Sequence, residues 1–473
     1  MSPTTIQLEK APTHISGVDE ILHGGLPRGR MIVLKGGPGT GKTIFGMEFL
    51  YRGALAGEPG IFVGLEETAA QLRENAATLG WDLSALEENG QLFLLEGSLS
   101  PDTILSGDFS LKGLLAAIAG KSKEMNAQRL VLDALDVLLR LIDAPHRVRS
   151  EMHALNHWIT EAGITTLMTI RPQAYERALA YEAFFDSMAD CVIELDARVR
   201  DQITTRRFRV VKYRGSAFGH NEYPYIISPA GIQIVPITSV ELRHAPPGER
   251  MTTGIEELDA VMGGGYRRAT CILIAGPPGT GKTIMTSTFV DAACQRGEKV
   301  LYISFEESVA ALTGNLLSAG LDLAPHIEAG RLSFIASFPE AEGSEEHLMH
   351  FLNELNAFDP QHVVVDAISA CERIAGMQAA FEYLMRLLNI CKERGSTVIL
   401  TNQLGIAEES SGISGNGISS MVDTVILLSY LSRPDRTDRM LHVLKSRGSG
   451  HSNLKREYMI TDEGIQIMGV SQG

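Results

Sequence analysis

The sequence has few cysteines and no long apolar run. The cysteines are Cys191, Cys271, Cys294, Cys371 and Cys391. They are scattered without a CxxC pair, so the sequence predicts neither a zinc site nor a disulfide framework. No stretch reaches about 18 apolar residues, and the N-terminus lacks a basic segment followed by an apolar core. We therefore expect no membrane-spanning helix and no secretory signal, which favours a protein of the reducing cytoplasm.

Positive charge is also scarce. Lysine and arginine number 42 against 57 aspartates and glutamates, for a formal net charge of −15. Such a charge repels polyanions, which argues against a broad surface for nucleic acid or anionic lipid. With 473 residues, 44% hydrophobic and 21% charged, the chain is long enough for two globular cores.

The second half of the chain repeats the first. The segments GGPGTGKT, RLVLDAL, VKYRGS and GIQIV return in the same order as GPPGTGKT, HVVVDAI, LKSRGS and GIQIM. Lys42 and Lys282 are 240 residues apart, and Asp133 and Asp366 are 233 apart, so one deletion of seven residues accounts for the change in offset. A period this long indicates a duplicated domain rather than a solenoid.

The composition between the repeats locates the domain boundary. Residues 241–250, ELRHAPPGER, form a polar stretch with prolines, which is typical of a linker. We therefore expect a first domain over residues 1–240 and a second over residues 251–473. In each half, short β-rich runs such as MIVL, IFVGL and RLVLD alternate with helical patterns. This alternation predicts an α/β fold, with a mostly parallel sheet flanked by helices in each domain.

Each half contains the phosphate-loop motif GxxxxGK[ST]. The residues expected to bind the nucleotide are Gly39, Thr40, Gly41, Lys42 and Thr43, and then Gly279, Thr280, Gly281, Lys282 and Thr283. Glycines let the backbone approach the phosphates, the lysine reaches the terminal phosphates and the threonine binds Mg²⁺. A chance match is excluded because the two motifs lie in repeat register, each after an apolar strand and before an amphipathic helix. ATP and Mg²⁺ are the expected cofactors.

Carboxylates accompany both loops. Asp133 and Asp366 end apolar runs, where a carboxylate can orient magnesium; taken singly, each would more often be an ordinary strand-end residue. The pairs Glu66-Glu67 and Glu306-Glu307 follow another strand and are candidates to activate a water or hydroxyl. Their alternative is a solvated helix start, where acidic residues are favourable. Their repetition favours catalysis, with Glu306 also a candidate near the metal.

The phosphate loops, paired glutamates, KxRG segments and the loop GISGNGISSMVDT together resemble KaiC, the RecA-like circadian clock ATPase and autokinase. The resemblance covers about Ile15 to Gly469. It implies tandem RecA-like P-loop domains that stack as two rings of a homohexamer, with ATP between neighbouring subunits. A KaiB-like protein is the partner expected by analogy. The sequence stops four residues after Gly469, without the longer tail that docks KaiA in clock KaiC proteins, so KaiA-type activation is not expected.

The resemblance also assigns cations. It implies that Lys212, Arg214, Lys445 and Arg447 reach a neighbour's nucleotide, where they would stabilise charge on the transferring phosphoryl group. Arg206 and Arg439, six residues before Lys212 and Lys445, are expected to touch nucleotide as well. The alternative for each KxR pair is two exposed cations on an edge strand.

The halves differ where the family carries its phosphorylation sites. The second half has Ser419 and Ser420 where the first has Asp186 and Ser187. The resemblance implies a second domain that phosphorylates these serines, with Glu306 as base, and a first domain that is mainly an ATPase. The resemblance is also compatible with autophosphatase activity in the second domain. Without the resemblance, a plain polar loop would be the preferred interpretation.

Two rival functions share this fold. A RecA- or RadA-like recombinase would use ATP to assemble on DNA, but residues 395–432, where such proteins meet DNA, contain no lysine or arginine. That segment includes Glu408, Glu409 and Asp423 instead. A nucleotide-gated scaffold without turnover is the other alternative, which the full set of acidic residues weakens.

Overall fold

The computed structural model describes residues 8–97, 111–140, 145–172, 184–200, 203–234, 246–405, 421–448 and 450–468. The chain divides into two compact units, Met1–Val240 and Glu241–Gly473. The first half of the expected linker, residues 241–245, lies outside the described residues, and Arg250 already pairs with Arg267 inside the second unit. None of the helices in these ranges is long and apolar enough to cross a membrane.

The strands of the first unit are β1 (Lys10–Ala11), β2 (Leu26–Pro27), β3 (Met31–Gly36), β4 (Gly60–Gly64), β5 (Leu92–Glu96), β6 (Arg129–Asp133), β7 (Thr165–Ile170), β8 (Cys191–Arg200), β9 (Ile203–Tyr213), β10 (Glu222–Ser228) and β11 (Gly231–Ile234). The helices are α1 (Val18–Ile21), α2 (Lys42–Leu55), α3 (Ala69–Ala77), α4 (Leu83–Glu88), α5 (Leu111–Met125), α6 (Leu135–Arg140) and α7 (Pro145–Ala162).

Among the described residues of the first unit, nine strands form one sheet in the order β5-β4-β6-β7-β3-β8-β9-β10-β11. The strands from β5 to β8 run parallel, and β9, β10 and β11 continue the sheet antiparallel. Strands β1 and β2 form a small antiparallel ribbon. Parallel strands joined by helices place their carboxyl ends on one edge of the sheet, which is where α/β proteins bind ligands.

Alternating side chains on β3 show how the sheet is buried on both faces. Ile32 and Leu34 face the cluster that includes residues of α2, such as Phe45. Met31 and Val33 face the opposite cluster, with residues of α5 and α7. All four β3 side chains are fully buried, as expected for a strand covered on both faces by helices.

The second unit repeats this architecture. Its strands are β12 (Arg250–Met251), β13 (Tyr266–Arg267), β14 (Cys271–Gly276), β15 (Val300–Ser304), β16 (Leu332–Ala336), β17 (His362–Asp366), β18 (Thr397–Gln403), β19 (Thr424–Ser432), β20 (Thr437–Ser446), β21 (Arg456–Thr461) and β22 (Gly464–Ile467). Its helices are α8 (Glu256–Val261), α9 (Lys282–Gln295), α10 (Val309–Leu317), α11 (Ala324–Glu328), α12 (Ser344–Phe358) and α13 (Glu372–Glu393), with 3₁₀ turns at Pro339–Ala341 and Ile368–Cys371.

In the part of the second unit that the structure describes, nine strands again form one sheet, ordered β16-β15-β17-β18-β14-β19-β20-β21-β22. Strand for strand, this order is the order of the first sheet. The predicted fold class, two tandem α/β domains with mostly parallel sheets flanked by helices, is confirmed.

One buried polar position differs between the units. Arg129 begins β6, is fully buried, and donates to Glu58 Oε2 at 2.7 Å and to the Phe49 carbonyl at 2.7 Å. His362 begins β17 at the matching place, and its Nε2 lies 2.7 Å from Glu298 Oε2. A fixed cation in one unit is therefore replaced in the other by a side chain that can be neutral.

Candidate functional sites

The first phosphate loop lies between β3 and α2, at the carboxyl edge of the sheet. Gly39 and Gly41 have φ of 73° and 81°, in the left-handed region that favours glycine. A Cβ on Gly41 would lie 2.6 Å from Ile227 Cδ1, so the Ile227 side chain would have to shift to admit one. Thr40 Oγ1 donates to the Gly37 carbonyl at 2.8 Å and tightens the turn. The loop therefore presents backbone at the start of α2, as an anion site requires.

The second loop, between β14 and α9, has the same geometry. Gly279 and Gly281 have φ of 77° and 86°, and a Cβ on Gly281 would lie 2.6 Å from Ile460 Cδ1. Thr280 Oγ1 donates to the Pro277 carbonyl at 2.8 Å. Both helices thus begin directly after a left-handed glycine, with their first N–H groups free of side-chain caps.

Two tyrosines that the sequence analysis missed hold these loops. Tyr225 on β10 donates its hydroxyl to the Thr40 carbonyl at 2.6 Å. Tyr458 on β21 donates to the Thr280 carbonyl in the same way. The two tyrosines are 233 residues apart, the offset of the aspartates, so the repeat itself carried the signal.

Lys42 is buried and Lys282 is half-buried, and both fold back on their own loops. Lys42 Nζ donates to the Gly37 carbonyl at 2.9 Å, and Lys282 Nζ to the Gly276 carbonyl at 2.9 Å. Burial lowers the pKa of Lys42, against the opposing charge of Asp133. Burial likewise lowers the pKa of Lys282. An anion in the loop would replace these carbonyl contacts and favour the charged amines.

The structure brings the loop threonine and the strand-end aspartate of the first site together. Thr43 Oγ1 donates to Asp133 Oδ2 at 2.6 Å, and Thr169 on β7 donates to the other carboxylate oxygen. The loop threonine and the strand-end carboxylate therefore lie side by side although they are 90 residues apart in sequence.

The second site makes the same pair. Thr283 Oγ1 donates to Asp366 Oδ2 at 2.9 Å, and Thr401 on β18 donates to Asp366 Oδ1. Thr169 and Thr401 occupy matching strand positions, and sequence reasoning missed both. They could have been found from the repeat, because a threonine stands at the same position of β7 and β18.

The glutamates of the first half share a pocket with the loop. A pocket of about 510 Å³ is lined by the loop residues Lys42 and Thr43, by Glu66 and Glu67, and by apolar side chains that include Trp81. Burial and the neighbouring Asp133 raise the pKa of Glu67, although Asn75 donates to its Oε2 at 3.1 Å. A raised pKa makes a carboxylate a better proton acceptor, and this one lies beside the phosphate loop.

In the second half the loop and Glu306 line two separate pockets. One of about 470 Å³ is lined by Lys282, Thr283 and Arg439. The other, of about 490 Å³, is lined by Glu306, Arg373 and Gln403 among others. Both Glu306 and Glu307 are exposed, and the charge of Glu306 acts on the pKa of Lys282. Glu306 therefore faces the loop, whereas the backbone of Glu307 is tied to Ser304.

Arg206 and Arg439 lie at the edge where their own phosphate loops lie. Arg439 Nε donates to the Gly279 carbonyl at 3.2 Å. Arg206 pairs across the sheet with Ala197, two residues beyond the register partner of Gly36, Leu195. Each arginine is thus placed to contact a nucleotide held by its own domain.

The KxR cations lie at the opposite edge. In the first unit, Tyr213 pairs with Cys191, which pairs with Ile32 near the start of β3, so Lys212 and Arg214 flank the amino edge. Four residues of β3 separate that level from Gly36, about 13 Å of strand. The structure does not bring these cations to the loop of their own domain.

Carbonyl groups hold the KxR cations in place. Lys212 Nζ donates to the Asp186 carbonyl at 2.5 Å and to the Ser187 carbonyl at 3.0 Å. Lys445 Nζ donates to the Val422 carbonyl at 2.7 Å, and Arg447 Nη1 lies 4.0 Å from Asp423 Oδ1. Burial lowers the pKa of Lys212 and of Lys445, and Arg214 and Arg447 add to the effect.

The proposed phosphorylation sites Ser419 and Ser420 lie outside the described residues. Their first-half counterparts are described: the Asp186 carboxylate lies 2.5 Å from Lys35 Nζ, and Ser187 Oγ donates to the Phe184 carbonyl at 2.8 Å. Lys35 is the last residue before Gly36, and Ala275 stands in its place in the second half.

Arg171 is another site residue that sequence reasoning missed. It follows β7, lines the first pocket, and places Nη2 3.1 Å from Glu66 Oε2. The repeat could not reveal it, because the matching residue after Thr401 and Asn402 is Gln403.

Comparisons with known proteins cover both halves of the chain. A family model described as the KaiC ATPase matches residues 11–239 and again residues 251–472. The chain is similar to the circadian clock protein KaiC2 of Synechocystis sp., with 37% identity over 98% of this chain and 82% of that protein. It is 36% identical to the circadian clock oscillator protein KaiC of Parathermosynechococcus lividus, over 98% of this chain and 86% of the relative. The KaiC of Synechococcus elongatus is 33% identical over 97% and 89% of the two chains.

Proposed function

This chain belongs to the KaiC ATPase family, and from that premise we propose that both phosphate loops bind and hydrolyse ATP and that the second domain phosphorylates its own serines. The observation that carries the proposal is the pairing of Thr43 with Asp133 and of Thr283 with Asp366, at 2.6 and 2.9 Å. In both domains, a hydroxyl at the start of a helix and a carboxylate at a strand end meet beside a glycine loop.

These residues fit a magnesium ion. A hydroxyl and a carboxylate are the hard oxygen ligands that Mg²⁺ takes together with the phosphates of its nucleotide. Thr43 and Asp133 would hold it in the first domain, and Thr283 and Asp366, with Glu306 nearby, in the second. When bound, Mg²⁺ neutralises charge on the phosphate oxygens.

Hydrolysis in the first domain is assigned to its paired glutamates. Glu67, whose pKa burial raises, is the proposed proton acceptor for the attacking water, and Glu66 lies beside it on the pocket wall. Attack on the γ-phosphorus forms the new P–O bond as the bond to ADP breaks, and the water proton passes to the carboxylate. Lys42 then balances charge on the phosphates.

The KxR cations are assigned to a neighbouring subunit. Because Lys212, Arg214, Lys445 and Arg447 lie at the edge away from their own loops, they serve a nucleotide only if another copy presents its loop to that edge. A closed ring of identical subunits meets this need, and we propose the homohexamer that the family resemblance implies. A cation delivered in this way stabilises the transition state of phosphoryl transfer.

Autophosphorylation is assigned to the second domain. Ser419 or Ser420 would attack the γ-phosphorus, with its hydroxyl proton passing to Glu306 and ADP leaving. The first domain has Asp186 at the place of Ser419, and an aspartate offers no hydroxyl to phosphorylate. Such a modification is a means of timing or signalling, and a KaiB-like protein is the partner we propose for it.

Incubation with γ-labelled ATP tests these assignments together. We expect label on Ser419 and Ser420 in the wild type and in Lys42→Ala, and no label in Lys282→Ala or Ser419→Ala/Ser420→Ala. The serine variant should keep its ATPase activity, because the first domain does not use these serines. Labelled serines in Lys282→Ala would contradict the assignment of the kinase to the second loop. Absence of label in a wild-type protein that still hydrolyses ATP would refute the proposed autokinase activity and leave the proposed ATPase activity standing.

A further inference from the structure

Arg171 is placed to act on the nucleotide of the first domain. Strand β7 lies beside β3, so its carboxyl end opens at the edge that carries the phosphate loop. Arg171 lines the same pocket as Lys42 and Thr43, and its charge lowers the pKa of Lys42, which places the two cations within electrostatic range. Arg171 lies at the same edge of the sheet as the loop of its own domain, whereas Lys212 and Arg214 lie at the opposite edge.

The Arg171 guanidinium has N–H donors beyond the one directed at Glu66. Its Nη2 lies 3.1 Å from Glu66 Oε2, while Nε is buried and has no hydrogen-bond partner among the residues that the structure describes. The backbone N–H of Arg171 donates to Asp136 Oδ1 at 3.3 Å, which fixes the start of the side chain. An arginine offers five N–H donors in a planar fork that matches a phosphate.

The second domain lacks this cation. Thr169 and Thr401 donate to the two strand-end aspartates, and two residues later in the sequence stand Arg171, directly after β7, and Gln403, the last residue of β18. Gln403 lines the pocket of Glu306 as Arg171 lines the pocket of Glu66. The two sites therefore share their loop, lysine, threonine and carboxylates, and differ in charge at this position.

We propose that Arg171 is a ligand of the γ-phosphate of ATP in the first domain, held on Glu66 until the triphosphate binds. The inference rests on the proposed ATP site of that domain. Exchange of a carboxylate for the more highly charged phosphate favours the move, and it frees Glu66 to face the attacking water. The first domain then has a cation at the γ-phosphate from the end of β7, whereas the matching position of the second domain has the neutral Gln403.

The test compares triphosphate and diphosphate binding at one site. In the full chain carrying Lys282→Ala, the affinities of Mg²⁺-AMP-PNP and of Mg²⁺-ADP are measured by calorimetry. Arg171→Gln should weaken AMP-PNP about 10- to 100-fold, the usual range for a hydrogen bond to a charged group, and change ADP by less than about twofold. Arg171→Lys should fall between the wild type and Arg171→Gln. Arg73→Gln, which breaks an ion pair with Glu87 away from the pocket, is the matched control and should leave both affinities unchanged.

A reciprocal change tests the same idea without touching Arg171. In the full chain carrying Lys42→Ala, Gln403→Arg should strengthen AMP-PNP over ADP at the second site. Equal weakening of AMP-PNP and ADP by Arg171→Gln, or no change in either, would overturn the assignment and leave the ATP site standing. Failure of the Lys282→Ala chain with native Arg171 to bind either nucleotide would instead refute the proposed ATP site.

Discussion

Tyr302 donates its hydroxyl to Asp366 Oδ2 at 2.7 Å, the same oxygen that accepts from Thr283. Tyr302 is fully buried on β15, and Phe62 occupies the matching position on β4 of the first domain. Burial raises the pKa of Tyr302, so the hydroxyl remains a donor. The carboxylate of the second site is therefore fixed by a contact that the first site lacks.

Loss of this contact should weaken the magnesium dependence of the second site. In a Lys42→Ala background, Tyr302→Phe should raise the Mg²⁺ concentration for half-maximal ATP turnover about tenfold, because side chains that orient a metal ligand have effects of that size. Unfolding free energy should fall by about 1 kcal/mol for the lost hydrogen bond. The control is Tyr383→Phe, a buried tyrosine on α13. An unchanged Mg²⁺ dependence in Tyr302→Phe would show that the hydroxyl does not orient Asp366.

The Lys35–Asp186 ion pair should stabilise the first domain. Lys35 is 8% exposed and its Nζ lies 2.5 Å from Asp186 Oδ1, so Asp186→Ser leaves a buried ammonium unpaired. We expect a loss of about 1–3 kcal/mol, less than for a fully buried pair because Asp186 is half-exposed. Urea unfolding followed by tryptophan fluorescence measures it, since Trp81 and Trp158 both lie in this domain.

A double variant provides the control for this ion pair. Lys35→Ala/Asp186→Ser reproduces the residues of the second half, Ala275 and Ser419, and removes both charges. It should recover most of the stability lost in Asp186→Ser. A double variant that is as unstable as the single one would show that the ion pair is not the cause.

The phosphate loops and their carboxylates could be predicted from the sequence because the carboxyl ends of parallel strands open on the same edge of a sheet. In a parallel sheet, Asp133 at the end of β6 and Thr43 after β3 must open on the same edge, so their meeting at 2.6 Å follows from the strand pattern. The family resemblance is confirmed by the match over both halves. The roles of the individual site residues, and the serines at 419 and 420, stay predictions.

Other features needed the structure because the repeat comparison emphasises what the halves share. The counterparts of Arg171 and Tyr302 in the other half are Gln403 and Phe62. Because these residues differ between the halves, a comparison of the repeats does not identify them as a shared motif. The placement of Lys212 at the amino edge and of Arg206 at the carboxyl edge depends on the register of β8 and β9. Arg206 and Lys212, six residues apart on one strand, therefore lie toward opposite edges of the sheet, which the spacing alone could not show.

Acid should destabilise the second domain through His362. Burial lowers the pKa of His362 to about 4 even though Glu298 opposes the change. Burial alone would raise the pKa of Glu298, but hydrogen bonds from Arg268, His362 and Arg296 lower it to about 2. Between pH 6.5 and 4 the unfolded chain then binds the histidine proton and the fold does not, so stability is full above pH 6.5 and falls as the pH falls.

The expected loss from His362 is about 2 kcal/mol between pH 7 and pH 4.5. Pulse proteolysis in urea, with mass spectrometry of peptides from residues 256–317, reports on this domain. His362→Gln removes the titration and should flatten the curve in that window. Equal slopes for the wild type and His362→Gln would assign the acid sensitivity to other groups.

Oligomers assembled from two different variant chains test whether one subunit supplies cations to the nucleotide of its neighbour. In a Lys42→Ala background, one chain carries Lys282→Ala and the other Lys445→Ala/Arg447→Ala. Each alone should lose about 1,000-fold or more in turnover, the scale of an arginine finger supplied in trans. Mixed and reassembled, the first chain supplies cations to the intact loop of the second, so a fraction of the activity should return. Full activity of Lys445→Ala/Arg447→Ala by itself would contradict donation between subunits.

The number of ATP molecules bound per chain tests the central claim most directly. Native mass spectrometry in Mg²⁺ and ATP should find two nucleotides per chain in the wild type, one in Lys42→Ala, one in Lys282→Ala and none when both lysines are replaced. Two nucleotides per chain in the double variant, or none in the wild type, would contradict the assignment of both loops as ATP sites.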